Sequence, residues 1–173
     1  MKAPASVALR PARPDDLARL TQIDRATTRL LAEHGFPSLL DAMPDEASVS
    51  RLVDGRATWL ATDQNDRALG FAVASDAAPC LYLHELGVDP AHQRRGIGTA
   101  LLEAVIAHGR WLFQPALALD TFRTVPFNAP FYSKRGFMPW PPGHVPEEIA
   151  TLVASARPPG IHPAARVVMV KRL

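Results

Sequence analysis

Residues Leu81 to Ala107, LYLHELGVDPAHQRRGIGTALLEAVIA, constrain this chain more than any other stretch. Leu81, Leu83, His84, Leu86 and Val88 give a mostly apolar extended run that Asp89-Pro90 stops. Proline donates no ladder hydrogen bond and biases its predecessor away from helix. From Gly98 onward, Leu101, Leu102, Val105 and Ile106 recur at helical spacing, the mark of a helix with one buried face. Between strand and helix lies Gln93-Arg94-Arg95-Gly96-Ile97-Gly98. A helix start leaves N–H groups without partners and carries partial positive charge. Glycine there lets another molecule approach the backbone, and arginines at the rim add countercharge. The stretch suits a phosphate or pyrophosphate. Spacing alone also allows a plain glycine turn with solvated arginines.

Gln93-x-x-Gly96-x-Gly98, after a strand ending Val88-Asp89-Pro90, resembles the acyl-CoA-binding motif of the GNAT N-acetyltransferase superfamily. Asn128-Ala129-Pro130-Phe131-Tyr132-Ser133-Lys134-Arg135-Gly136-Phe137 is similar to that family's N-A-x-x-x-Y/F-x-x-x-G-F region, with a shortened Asn-to-Tyr spacing. The two motifs stand in the family's order, one helix and one strand apart. The resemblance covers most of the chain and is weakest before Arg56 and after Trp140. It implies an α/β protein with a single mixed central β-sheet flanked by helices on both faces. It also implies acetyl-CoA as co-substrate and an amine as acceptor. The P-loop sequence G-x-x-x-x-G-K-[ST] is missing, as is G-x-G-x-x-G after a strand, which argues against a nucleotide triphosphatase or a dinucleotide fold.

Composition narrows the alternatives. A length of 173 residues suits a single domain with a sizeable core, taken as 1–173. The lone Cys80 permits no internal disulfide, which fits a reducing compartment and predicts a cytoplasmic protein. The first residues have no long apolar core of a signal peptide, and no run approaches the ~20 apolar residues of a membrane span. The formal charge of +2 is small and the basic residues are scattered, so nucleic acid is not an expected partner. Six histidines without metal-ligand spacing, and one cysteine, predict no metal site.

Local signals place the remaining elements. Ser6–Arg10 reads as a strand closed by Pro11 and Pro14, and Asp15-Asp16 as the opening of a helix that Gly35 and Pro37 end. Ser38–Val53 reads as one shorter helical region with Pro44 at its first turn. Arg56–Thr62 and Ala68–Ser75 form a hairpin about Asn65-Asp66. Ala116–Phe122 is a strand, Phe127–Arg135 a short helix, Phe137–Trp140 a brief strand, Pro146–Ala156 a helix and Arg166–Arg172 a last strand. A hairpin early and helical crossovers later predict a mixed sheet with helices on both faces.

Acetyl transfer from a thioester to an amine sets four tasks: holding CoA, polarising the carbonyl, neutralising the amine and protonating the thiolate. The amides from Arg94 through Arg95, Gly96, Ile97 and Gly98 to Thr99 are the candidate pyrophosphate site, with Gln93 beside them. The resemblance places the pantetheine arm along the backbone of Leu86, Gly87 and Val88, where it pairs like an added strand. The Val88 N–H is then the carbonyl donor. Tyr132 is the candidate acid for the thiolate, and its other reading is an amphipathic core residue. Asn128 reads equally as a helix cap and as a CoA contact.

A lysine-like ammonium is about a thousandfold protonated at neutral pH, a handicap of ~4 kcal/mol, so the amine needs a base. Glu85, a carboxylate inside an otherwise apolar strand, is the first candidate, with Asp120 and His84 behind it. Strict strand alternation sends His84 to the face opposite Glu85, so only one of the two should reach the cleft. The acceptor pocket is expected from Thr27–Met43 and from the loops near Thr121–Phe127, with Glu33, His34 and Asp41 as weaker candidate contacts. Cys80 fits an inert buried thiol better than an acyl carrier. The expected reaction is direct attack of a primary amine, in a small molecule or peptide, on acetyl-CoA in a ternary complex. A non-catalytic acyl-CoA-binding module and a basic nucleic-acid-binding domain are the competing classes, and the resemblance is compatible with a homodimer.

Overall fold

The computed structural model describes residues 7–141 and 143–173. Strand β1 (Ala8–Pro11) leads through a 3-10 turn into α1 (Leu17–Glu33). Ser6, which the sequence assigned to the first strand, lies outside the described residues. A 3-10 segment, Pro37–Ala42, comes next, then α2 (Glu46–Val53), β2 (Ala57–Thr62), β3 (Ala68–Ala77) and β4 (Cys80–Val88). Helix α3 (Ile97–Trp111) crosses over to β5 (Ala116–Phe122). The chain closes with α4 (Ala129–Ser133), β6 (Met138–Pro139), α5 (Glu147–Ala156) and β7 (Arg166–Arg172).

These strands form one mixed sheet in the order β1-β2-β3-β4-β5-β7-β6. Only β4 and β5 run parallel, joined by α3; every other neighbour is antiparallel. One face of the sheet packs on α3 through Leu81, Leu83, Leu117 and Leu119 against Leu101, Leu102, Val105 and Ile106. The other face carries α1 and α2 over Leu60, Phe71 and Val73, and α5 over Tyr82 and Ala118. The expected α/β architecture, with helices on both faces, is therefore present.

The helical region expected over Ser38–Val53 is two pieces. Asp45 and Ser48 cap α2 reciprocally: the Ser48 amide donates to Asp45 Oδ1 at 2.7 Å and the Asp45 amide to Ser48 Oγ at 2.9 Å. A true N-cap has extended backbone, so helix cannot run through it, and Pro44 precedes the cap.

Strand β4 is irregular on both of its edges. Its pairing with β5 spans only Leu81↔Leu117 to Leu83↔Leu119, so the two strands part beyond Leu83. Its pairing with β3 jumps from Val73↔Glu85 to Ala74↔Leu83, which leaves His84 as the extra residue of a β-bulge. Gly70 faces this end of β4 closely: a Cβ there would stand 2.8 Å from the Gly87 carbonyl oxygen, which is backbone and cannot move aside. Gly70→Ala should cost about 1–3 kcal/mol in chemical denaturation. Gly109→Ala should cost less, because its nearest obstacle is the terminal Leu173 side chain, which can rotate away.

Candidate functional site

The loop after β4 is fixed from below and open above. Asp89 Oδ1 accepts from the Ala91 amide at 3.0 Å, and Asp89 Oδ2 pairs with Arg19 of α1 at 2.5 Å. Gln93 Nε2 reaches back to the Val88 carbonyl at 3.4 Å. Arg94 and Gly96 then take positive φ, 58° and 82°, and Gly96 becomes the N-cap of α3 with no side chain to cap the helix. Among the described residues, no protein acceptor receives the N–H groups from Arg94 to Thr99. Arg94, Arg95 and Gly96 are exposed. Free amides, a helix N-terminus and two flanking guanidiniums make an open cradle whose chemistry suits an anion.

The cradle is tied to α4. Arg135 Nη2 donates to Thr99 Oγ1 at 2.7 Å and its Nη1 to the Phe131 carbonyl at 2.8 Å. The guanidinium lies 3.7 Å over the Phe131 ring. The first turn of α3 and the helix carrying Tyr132 therefore hold a fixed relation.

Beside the cradle lies the split between β4 and β5. The Asp89 amide donates to the Leu69 carbonyl of the preceding β3 segment at 2.9 Å. Backbone groups alternate along a strand, so Gly87 also faces β3 while Leu86 and Val88 turn their N–H groups toward the split. The Val88 amide, the expected carbonyl donor, thus opens where β5 has already departed.

Tyr132 is 7% exposed and makes edge-to-face contacts with Phe131 and Phe137 at 5.1 and 5.5 Å. Among the described residues its hydroxyl has no hydrogen-bond partner. Burial, and then the charge of Glu85, raise its pKa, so it is a neutral phenol that donates. Glu85 is half-buried, and no side chain bonds or ion-pairs with it among the described residues. Burial pushes its carboxyl up to about 8, and the neighbouring Asp24 of α1 adds to the rise. Asp24 is itself pushed up to about 6 by burial. Glu85 and Asp24 are therefore two acids that share one poorly solvated region, with a pKa set by the pair.

Asp120 faces the same split but is engaged: Arg166 Nε holds its Oδ2 at 2.5 Å and Arg166 Nη2 its backbone carbonyl at 3.1 Å. Burial still outweighs Arg166 and raises its pKa. Tyr82, 3% exposed, feels Asp120, Arg166 and Glu85 together and has no hydroxyl partner among the described residues.

The bulge corrects the expected separation of His84 from Glu85. Leu86 and Val88 rejoin the α3 face of Leu83, so Glu85 and Gly87 fall on the α1 face, where a Cβ on Gly87 would meet Phe71 and Ile23. His84 stands on that face too, against the Tyr82 ring at 5.0 Å and bonded through Nε2 to Ser75 Oγ at 2.7 Å. Burial, with Arg56 behind it, drops its pKa to about 4, so it is a neutral imidazole with one nitrogen committed. Asn128 is also corrected as a cap: it occupies the N-cap of α4 but makes no capping bond. Its Nδ2 donates to Thr121 Oγ1 at 2.8 Å, which leaves Oδ1 buried without a partner.

Sequence reasoning missed Asp24, Arg135 and Arg166. Asp24 stands four residues after Leu20 on the apolar stripe of α1, and an acid in such a stripe was its available signal. Arg166 had none, because its pairing with Asp120 spans 46 residues. Cys80 is buried at the far end of β4, its thiol pushed up to about 11 by burial. It borders a cavity of about 580 Å³ with Trp140 and Arg172, remote from Glu85 along the strand. A cavity of about 390 Å³ between α1 and the Pro37–Ala42 segment, lined by Arg29, Glu33 and Leu40, lies where the acceptor pocket was expected. Among the described residues, no group of His, Cys, Asp and Glu side chains could hold a metal ion.

Comparison with known proteins agrees with the fold. The family model described as acetyltransferase (GNAT) family matches residues 18–137. A GCN5-related N-acetyltransferase structure from Rhodopseudomonas palustris aligns with a TM-score of 0.76 at 25% identity, over 100% of this chain and 99% of that one. PaiA N-acetyltransferase from Thermoplasma acidophilum, in complex with coenzyme A, aligns at 0.71 and 16% identity over 97% and 99%. N-acetylglutamate synthase from Neisseria gonorrhoeae, complexed with coenzyme A and N-acetyl-glutamate, aligns at 0.72 and 20% identity over 98% of this chain and 35% of that one.

Proposed function

The chain belongs to the acetyltransferase (GNAT) family, and from that premise we propose that it moves the acetyl group of acetyl-CoA to a primary amine by direct attack in a ternary complex. The observation that carries this reading is the row of unpartnered amides from Arg94 to Thr99 beside a sheet split that holds Glu85 and Tyr132. The cradle takes the diphosphate of CoA, with Arg94 and Arg95 as countercharge. The pantetheine arm runs along Leu86, Gly87 and Val88, and the Val88 amide donates to the thioester oxygen. The orphaned Asn128 Oδ1 is free to accept from one of the arm's amides.

Glu85 takes a proton from the amine, whose nitrogen then bonds to the carbonyl carbon as the carbon–sulfur bond breaks. The departing thiolate takes the Tyr132 proton, and the second proton, shed by the acylated nitrogen as the amide forms, restores the phenol. The acceptor is an amine of a small molecule or peptide, reached from the α1 face. The whole chain works as one catalytic unit, alone or as a homodimer, in the cytoplasm and without nucleic acid or membrane. No helix among the described residues is long and apolar enough to cross a membrane.

Two measurements test the reading together. Acetyl-CoA at 100 times its Kd should stabilise the protein by about 2.7 kcal/mol, seen as a rise in Tm. An amine panel should then release free CoA thiol. CoA uptake with no thiol released by any amine would reduce the chain to a binding module. No uptake at all would remove the enzyme reading.

A further inference from the structure

One cation on the acceptor side has no use in the chemistry above. Arg157 ends α5 as its C-cap and is half-buried, with Nε fully enclosed and without a partner. Among the described residues it makes no hydrogen bond and no ion pair. Every other half-buried arginine there, Arg10, Arg19, Arg25, Arg56, Arg135 and Arg166, donates to a protein oxygen. Its Nε is cut off from water without an acceptor, while the two terminal nitrogens stay open and unengaged, so this side chain presents a free fork that suits an anion.

The position says which molecule brings that anion. Asp120 shares the face of Ala118, the side packed by α5, and it feels the charge of Arg157. The loop after Arg157 leans on the Pro37–Ala42 segment: a Cβ on Gly160 would stand 3.1 Å from Ser38, and Ile161 packs with Leu39 and Phe122. Arg157 therefore lies on the α1 and α5 side of the sheet, across from the loop that opens α3. A second unmet group lies beside it. The Asp120 side chain is 5% exposed, and its Oδ1 has no partner. A guanidinium with no protein partner and an enclosed carboxylate oxygen without a donor, not bonded to one another, match a ligand with one anionic and one N–H end.

We propose that the acceptor is an amine bearing a carboxylate, of the amino-acid class, and that Arg157 receives that carboxylate. The inference rests on the acetyltransferase reading and adds the substrate class. A guanidinium meets a carboxylate bidentately, which fixes orientation as well as charge, and Asp120 Oδ1 accepts from the same ligand's amine end. An acceptor anchored at both ends presents its nitrogen to Glu85 in one pose.

The test uses the full chain with acetyl-CoA and α-amino acids, each beside its carboxamide and its decarboxylated amine. Thiol release should favour at least one free acid over its carboxamide by about tenfold or more in kcat/KM. Arg157→Gln should erase that preference and raise KM for the acid about tenfold, with KM for acetyl-CoA unchanged within about twofold. Arg157→Lys should restore part of it, since a point charge replaces the fork. A parallel thermal shift with CoA present should show stabilisation by the preferred acid in the native chain and none in Arg157→Gln. Carboxamides or decarboxylated amines used as well as acids would overturn the proposal. So would a preference that survives Arg157→Gln, or an absence of both turnover and thermal shift with every acid. Failure of CoA itself to shift Tm is a different result and strikes the enzyme reading instead.

Discussion

Tyr132→Phe is expected to lower kcat by about 10²-fold while the Kd for acetyl-CoA stays within about twofold. The substitution removes one oxygen whose only duty, on this geometry, concerns the reacting atoms. Its hydroxyl bonds to no described protein group, so no buried donor or acceptor is orphaned by its loss. The ring keeps its edge-to-face contacts with Phe131 and Phe137. Stability should therefore change little, and the burial that raises the phenol's pKa ensures that a proton is present to give across the working range. Steady-state kinetics and calorimetric titration with acetyl-CoA separate the two quantities. An undiminished kcat would remove Tyr132 as the acid. A loss of CoA binding that matches the loss of rate would make it a binding residue.

How far this site was legible in the sequence depends on which interactions are local. The strands Ala116–Phe122 and Arg166–Arg172 fall where the sequence put them, because proline and glycine punctuate the chain around them. The cradle was readable for the same reason, since Gly96, Gly98 and Asp89-Pro90 specify their own backbone. The bulge at His84 was not. It depends on the register with Val73 and Ala74 on another strand, and nothing in LHELGV marks the extra residue. Its consequence is chemical: by shifting the alternation it brings Glu85 to the face of α1, where Asp24 waits. The same holds for Arg157 and Arg166. Each lies far along the chain from Asp120, and only the insertion of β7 between β5 and β6 brings them near. The Asn128 cap failed because its donors are gone: Pro130 has no N–H, and the Phe131 and Tyr132 amides already donate to the Asn128 backbone carbonyl at 2.8 and 3.1 Å.

Glu85→Gln should lower kcat/KM by about 10² to 10³-fold and abolish the acidic limb of the pH–rate profile. In the native chain that limb has its midpoint near 8, the value to which burial and then Asp24 push the carboxyl. A base must be ionised to act, so the rate should rise with pH through about 8 and fall tenfold per unit below it. The groups facing Glu85 bound the alternatives: His84 is neutral above about 4, Asp120 is held by Arg166, and Tyr82 and Tyr132 are neutral phenols. Asp24 remains, and Asp24→Asn supplies the control. It removes the adjacent negative charge, so the midpoint should move to lower pH while kcat at high pH persists. Stability carries the opposite sign. Both acids hold their protons more tightly folded than unfolded, so their contribution is complete at low pH and is lost as pH rises through about 6 for Asp24 and about 8 for Glu85. Glu85→Gln, neutral throughout, should thus melt higher than the native chain above pH 8 while being the less active protein. A limb that persists unmoved in Glu85→Gln would transfer the base to a water or to Asp24. A variant that melts lower than the native chain at high pH would show that the carboxylate is paired after all.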